Sequence, residues 1–241
     1  MTSPITNSSG LTDPEKKIIS GFFCAILAIS VLLALMVVVL SGDTFLAYSN
    51  YLQILTAFAG ALVFLYAYNH MNRPSYLLYA AGGFALWGAS NTAWYILFLI
   101  GMRPGVFPGL VDIGIIASIF VLTIAFQNAY PKKQVMPHIL LGILIAFLLI
   151  PAGIFITIGV TEVTLVTFLY FFACASLVIT GVNHSLTERP LIFGGALLFA
   201  LAFLIYPIRE AFFLTSPFLN IIGTLVIAGF CLIVIGLLGK P

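Results

Sequence analysis

Polar punctuation divides this chain into long apolar runs. Eight of them approach the roughly 20 residues needed to cross about 30 Å of hydrocarbon. They cover residues 18–40, 51–68, 76–102, 110–126, 139–160, 163–182, 191–213 and 218–238, and the turns between them are short. Backbone groups in lipid must bond within their own segment, so such runs are expected as helices. The period-two alternation of a membrane barrel is absent. The pattern predicts an all-α membrane protein with eight transmembrane helices forming a single domain over residues 14–241. A polar stretch over residues 1–13 is expected to be a flexible cytoplasmic tail. It has no basic region leading into a small-residue cleavage site, so it does not read as a signal peptide.

The pattern comes close to repeating. Asn69-His70 ends the second run and Arg73-Pro74 precedes the third; Asn183-His184 ends the sixth and Arg189-Pro190 precedes the seventh. The offset is 116 between the Arg-Pro pairs and 112 between Gly82-Gly83 and Gly194-Gly195. It falls to 108 between Val111-Asp112-Ile113 and Leu219-Asn220-Ile221, a drift that a shorter second turn absorbs. Two halves, about 14–130 and 131–241, are therefore expected. Each holds four helices, an even number, so the halves would be parallel repeats about an axis along the membrane normal.

Composition narrows the class further. The chain of 241 residues is 62% hydrophobic and 7% charged, with a mean hydropathy of +1.21. Soluble domains carry about 25% charged residues, and a deficit this large leaves too few polar groups for a water-facing surface. Membrane lipid is the expected surrounding partner. A net charge of +2 does not point to nucleic acid. Eight crossings put Lys16, Lys17, Arg73, Lys132, Lys133, Arg189 and Lys240 on one side and leave Arg103 and Arg209 on the other. Seven cations against two predict a cell-membrane protein with both termini cytoplasmic. Cys24, Cys174 and Cys231 lie far apart inside apolar runs and read as buried small hydrophobes.

The third run carries the first candidate chemistry. Trp87, Asn91 and Trp94 stand at i, i+4 and i+7 on one helical face, with Ser90 beside them. Two indoles flanking an amide can hold a flat or amphipathic ligand, or can simply pack helices together. Ionisable residues gather at the non-cytoplasmic end. Asp112 lies just inside the fourth run, and Arg209 and Glu210 lie in the last turns of the seventh. Intramembrane charges usually face the bundle and find partners. Asp112 is the natural partner for Arg209, and Glu210 shares a face with Tyr206. All of these could instead reach headgroups or water. Pro151 and Pro207 interrupt the fifth and seventh runs and free the carbonyls of Phe147 and Phe203. The Asn-His pairs make a poor metal site and are better read as helix caps and headgroup contacts, so neither metal nor cofactor is expected.

From Trp87 to Phe126 the sequence resembles the multi-spanning N-terminal membrane sensor domains of prokaryotic histidine kinases and diguanylate cyclases. Those carry an aromatic W-x-x-G-D-x-x-W-like helix, a P-F-P-S-L-x-D-like turn and another apolar helix. The matching residues are Trp87, Asn91 and Trp94, then Phe107-Pro108-Gly109-Leu110-Val111-Asp112. Asn91 stands for the usual acid and Gly109 for Ser, and no output domain follows before Pro241. The resemblance implies a sensory or regulatory module acting through a signalling protein partner. Its small or lipophilic ligand would lie between the third, fourth and seventh helices, lined by Trp87, Ser90, Asn91, Trp94, Asp112, Tyr206, Arg209 and Glu210. Two alternatives are a small secondary transporter and an intramembrane lipid hydrolase using Asp112 and Glu210 as a carboxylate pair.

Overall fold

A computed structural model describes residues 11–36, 42–100, 109–129, 137–184, 190–211 and 221–238. Among them the chain forms eight helices and no strand. They are α1 (Asp13–Leu35), α2 (Gly42–His70), α3 (Ser75–Leu99), α4 (Leu110–Ala129), α5 (Pro137–Ile158), α6 (Glu162–His184), α7 (Pro190–Ala211) and α8 (Ile222–Leu238). This is the expected all-α membrane class. Six helices are long and apolar enough to cross a membrane, and α8 is apolar but shorter, at 17 residues. The exception is α3, which has 25 residues but is diluted by Gly, Ser, Asn, Thr and Tyr. It is flanked by α2 and α4, so its polar side chains need not meet lipid.

The helix ends differ in detail from the sequence reading. Leu11, Thr12 and Asp13, the last residues of the polar stretch 1–13, are already part of the bundle. Thr12 caps α1 in a reciprocal box with Glu15, and Leu11 is buried. At the end of α2, Asn69 stays within the helix. The left-handed positions fall instead on Asn72 (φ 46°) and Arg73 (φ 55°), just before Pro74. Proline disfavours helical backbone at the residue before it, so the chain turns there. Cys174 and Cys231 are buried as expected, but Cys24 is exposed on α1.

Six helices close a ring in the order α2, α3, α4, α6, α7, α8, with α8 packing back on α2. α1 leans on α2 and α8 from outside, and α5 leans on α6. The most apolar windows of these two outer helices are only 17% and 11% buried, so most of their surface is left for lipid. Close contacts fix the directions. Gly83 lies against Leu122 and Gly114 against Ser90, so α3 and α4 are antiparallel. Gly223 meets Ser49 and Gln53 while Gly60 meets Val234, so α2 and α8 run parallel. Glu15 at the start of α1 accepts a hydrogen bond from Tyr66 near the end of α2, at 2.6 Å. The start of α1 and the finish of α8 therefore share one end of the bundle with His70. The opposite end is the Asp112 end.

The ring is tightest where helices carry glycine. A Cβ on Gly195 would lie 2.7 Å from the Gly229 carbonyl oxygen, and one on Gly229 would lie 2.9 Å from that of Gly195. The two backbones touch there, as small residues allow between membrane helices.

Candidate functional site

Cross-helix registers sort the interior of the ring into two layers. The deeper layer is aromatic. Phe230 of α8 is its hub, with ring centroids 4.3 Å from Phe84, 4.9 Å from Phe199 and 5.0 Å from Trp87. Phe64 extends it on α2, edge-on to Phe84 at 5.2 Å. Rings from four helices thus form the middle of the bundle. These edge-on and tilted contacts suit the aromatic quadrupole.

The second layer, one turn toward the Asp112 end, is polar. On α2, Ser49, Asn50, Gln53 and Thr56 are all buried, spaced to share one face. Gln53 Nε2 donates to Ser49 Oγ at 3.3 Å and to Asn50 Oδ1 at 3.4 Å. On α6, Thr164, Thr167 and Tyr170 are buried at threefold spacing. Thr167 donates to the Val163 carbonyl at 2.7 Å, so its hydroxyl is satisfied within the helix. The sequence reading overlooked both stripes. Their signal was present as polar residues three and four apart inside apolar runs.

Asp112 belongs to this layer and is turned inward, with 5% exposure. It does not reach out to headgroups or water. Its Oδ2 accepts from the Gly109 amide at 2.7 Å and its Oδ1 from the Tyr170 hydroxyl at 2.7 Å. The first bond is half of a capping box, an acid at the third helical position reaching back to the cap. The second ties α4 to α6. A buried carboxylate is tolerable only when its oxygens are bonded in this way. Tyr170 in turn stacks on Phe203 of α7 at 5.7 Å and 4°, with Tyr206 edge-on at 5.8 Å. Pro207 frees the Phe203 carbonyl from its helical donor at this same level.

The sequence-derived site is therefore brought together in part. Tyr206 and Asp112 are joined through Tyr170, a residue the sequence reading did not select. Ser90 packs on α4 at Gly114, two residues from Asp112. The helices completing the set are α6 and α8, beyond the α3, α4 and α7 expected. The side chains of Arg209 and Glu210 lie outside the described residues, as do those of Asn183 and His184. The expected Asp112–Arg209 pair and Asp112–Glu210 pair fall there too.

Trp87 and Asn91 differ from their neighbours. Trp87 is 1% exposed and Asn91 is 8% exposed. On α3, Ser90 faces α4 and Gly88 faces α2 at Ala57 and Phe58. Trp87 and Asn91 point between those two directions, toward the centre of the ring. Neither Trp87 Nε1 nor Asn91 Nδ2 finds a hydrogen-bond acceptor among the described residues. A buried donor left unpaired costs about 1–3 kcal/mol. Two such donors one turn apart, beside a layer in which Asp112, Gln53 and the threonines are all bonded, mark where an acceptor is missing.

α7 carries rings at the same spacing. Counting 112 residues on from Trp87, Asn91 and Trp94 gives Phe199, Phe203 and Tyr206, the spacing that also relates Gly82-Gly83 to Gly194-Gly195. Gly82 lies 3.9 Å from Val121 on α4, measured from an added Cβ, and Gly194 lies 3.9 Å from Leu232 on α8. No protein-family model matches this chain, and no curated protein or solved structure is significantly similar to it.

Proposed function

We propose that this membrane helical bundle is a sensory or regulatory module. It binds a small or lipophilic ligand inside the Asp112 end of the ring and passes its state to a protein partner. The observation that carries the reading is the pair of buried, unpaired donors on α3. Folding retains such groups against their cost where a bound molecule repays it. The resemblance of Trp87–Phe126 to sensor domains supports the regulatory role.

The site lies where the chain's two halves meet. Asp112 of α4 bonds Tyr170 of α6, and Trp87 of α3 packs on Phe230 of α8. A ligand bridging α3 to α7 or α8 would favour one packing of the halves over another, which is what a sensor needs. Internal duplication supports this picture. α4 meets α6 as α8 meets α2, and the Gly-Gly pairs hold matching places in α3 and α7. The seven-to-two distribution of Lys and Arg puts the Asp112 end on the non-cytoplasmic side. A partner would then read the His70 end from the cytosol.

Solvent extraction and mass spectrometry of the purified protein test the reading. A molecule retained by the wild type and lost from Trp87→Ala and Asn91→Ala variants, and whose re-addition raises only the wild-type melting temperature, is the expected result. Equal retention and equal thermal shift in all three would refute the site.

A further inference from the structure

The two free donors also constrain the chemistry of the occupant. We infer that the ring takes a flat, uncharged carbonyl compound of the quinone class; this rests on the ligand-binding reading above. Trp87 Nε1 and Asn91 Nδ2 can only donate, so the guest must bring acceptor oxygens. A charge would be poorly solvated against Phe84, Phe199 and Phe230, whereas a neutral carbonyl needs only the two N–H groups.

Shape adds a second constraint. Tyr170 and Phe203 already stack in parallel, at 4° between planes, on the far side of the polar layer. A planar conjugated ring fits among such surfaces better than a branched polyol or an acyl ester does. In a membrane bundle such a guest comes from the lipid phase, where quinones dissolve.

The chain's two tryptophans, Trp87 and Trp94, provide the readout. In Trp94→Phe protein in nanodiscs, all indole emission comes from Trp87. Titration with a decyl-substituted benzoquinone should quench that emission saturably, near one quinone per chain. Adding Asn91→Leu should weaken the apparent affinity tenfold or more, while size-exclusion profile and melting show the fold retained. A linear quench of the same slope in Trp87→Phe protein, which reports Trp94 alone, would mean simple partitioning and overturn the inference. So would saturable quenching indifferent to Asn91→Leu, or no quenching at all. If the quinone fails but an extracted molecule still depends on Asn91, the chemical class is wrong and the ligand-binding reading stands. If both fail, the reading falls as well.

Discussion

At the scale of single residues, Asn91 and Asp112 contrast an unpaired donor with a fully bonded carboxylate. Asp112 is the more conspicuous in sequence, a carboxylate inside an apolar run. Yet both of its oxygens are bonded, to the cap of its own helix and to Tyr170. Its role is to hold α4 against α6. Removing the Tyr170 hydroxyl by Tyr170→Phe should therefore destabilise the bundle by about 1–2 kcal/mol. Interhelical bonds in membranes average well under that, but this one serves a buried carboxylate. Thermal or denaturant midpoints in detergent would measure it, and an unchanged midpoint would contradict the anchoring role. Asn91 behaves in the opposite sense. Its amide nitrogen is buried with no acceptor among the described residues, so Asn91→Leu, which keeps the branching, should raise stability without ligand by about 1 kcal/mol. A residue whose removal stabilises the empty protein while abolishing retention of its ligand is kept for binding. If Asn91→Leu instead lowered the midpoint, the amide would have to be serving the fold.

At the scale of helices, small residues set what can approach what. The α7–α8 pair meets backbone to backbone at Gly195 and Gly229, where an added methyl would press on a carbonyl oxygen at 2.7–2.9 Å. Gly229→Ala should cost about 1–3 kcal/mol, the usual cost of overpacking. Gly142→Ala in α5, where an added Cβ meets nothing within 4 Å, should be close to neutral. A comparison of the two midpoints tests whether the close approach matters. The existence of the helices was legible from apolar run length alone, and seven of the eight runs show it plainly. α3 is the instructive case. Its run is long, but its polar residues dilute it, and only its place between α2 and α4 explains why they are tolerated. The aromatic face of Trp87, Asn91 and Trp94 was visible from spacing. Its neighbours were not, because spacing within one helix says nothing of which helix lies opposite. Tyr170 and Phe230 reach the site from α6 and α8 through a ring closure that no local pattern encodes. The polar stripes on α2 and α6 were hidden for a related reason. Scattered Ser, Thr, Asn and Gln in apolar runs look alike whether they face lipid or core.

At the scale of the whole molecule, the fold and the charge pattern make separable statements about topology. The Glu15–Tyr66 bond, together with the parallel run of α2 and α8, puts the start of α1 and the finish of α8 at one end. That conclusion owes nothing to Lys and Arg. It follows that reporters fused before α1 and after α8 must report the same compartment. The charge bias then says which compartment. Lys16 and Lys17 in the first turns of α1 and Arg73 just after α2 lie at the His70 end. On the proposed orientation, in which positive loops stay on the synthesis side, that compartment is the cytosol. Paired fusions of a cytosol-active and an export-active reporter at both extremities should therefore give cytosolic signal at each. Signals from opposite compartments would break the eight-helix bundle itself. Export signal at both ends would leave the ring standing but invert it, and would place the Trp87 and Asn91 donors in the cytosolic half of the membrane. Any ligand would then approach them from the inner leaflet rather than the outer one.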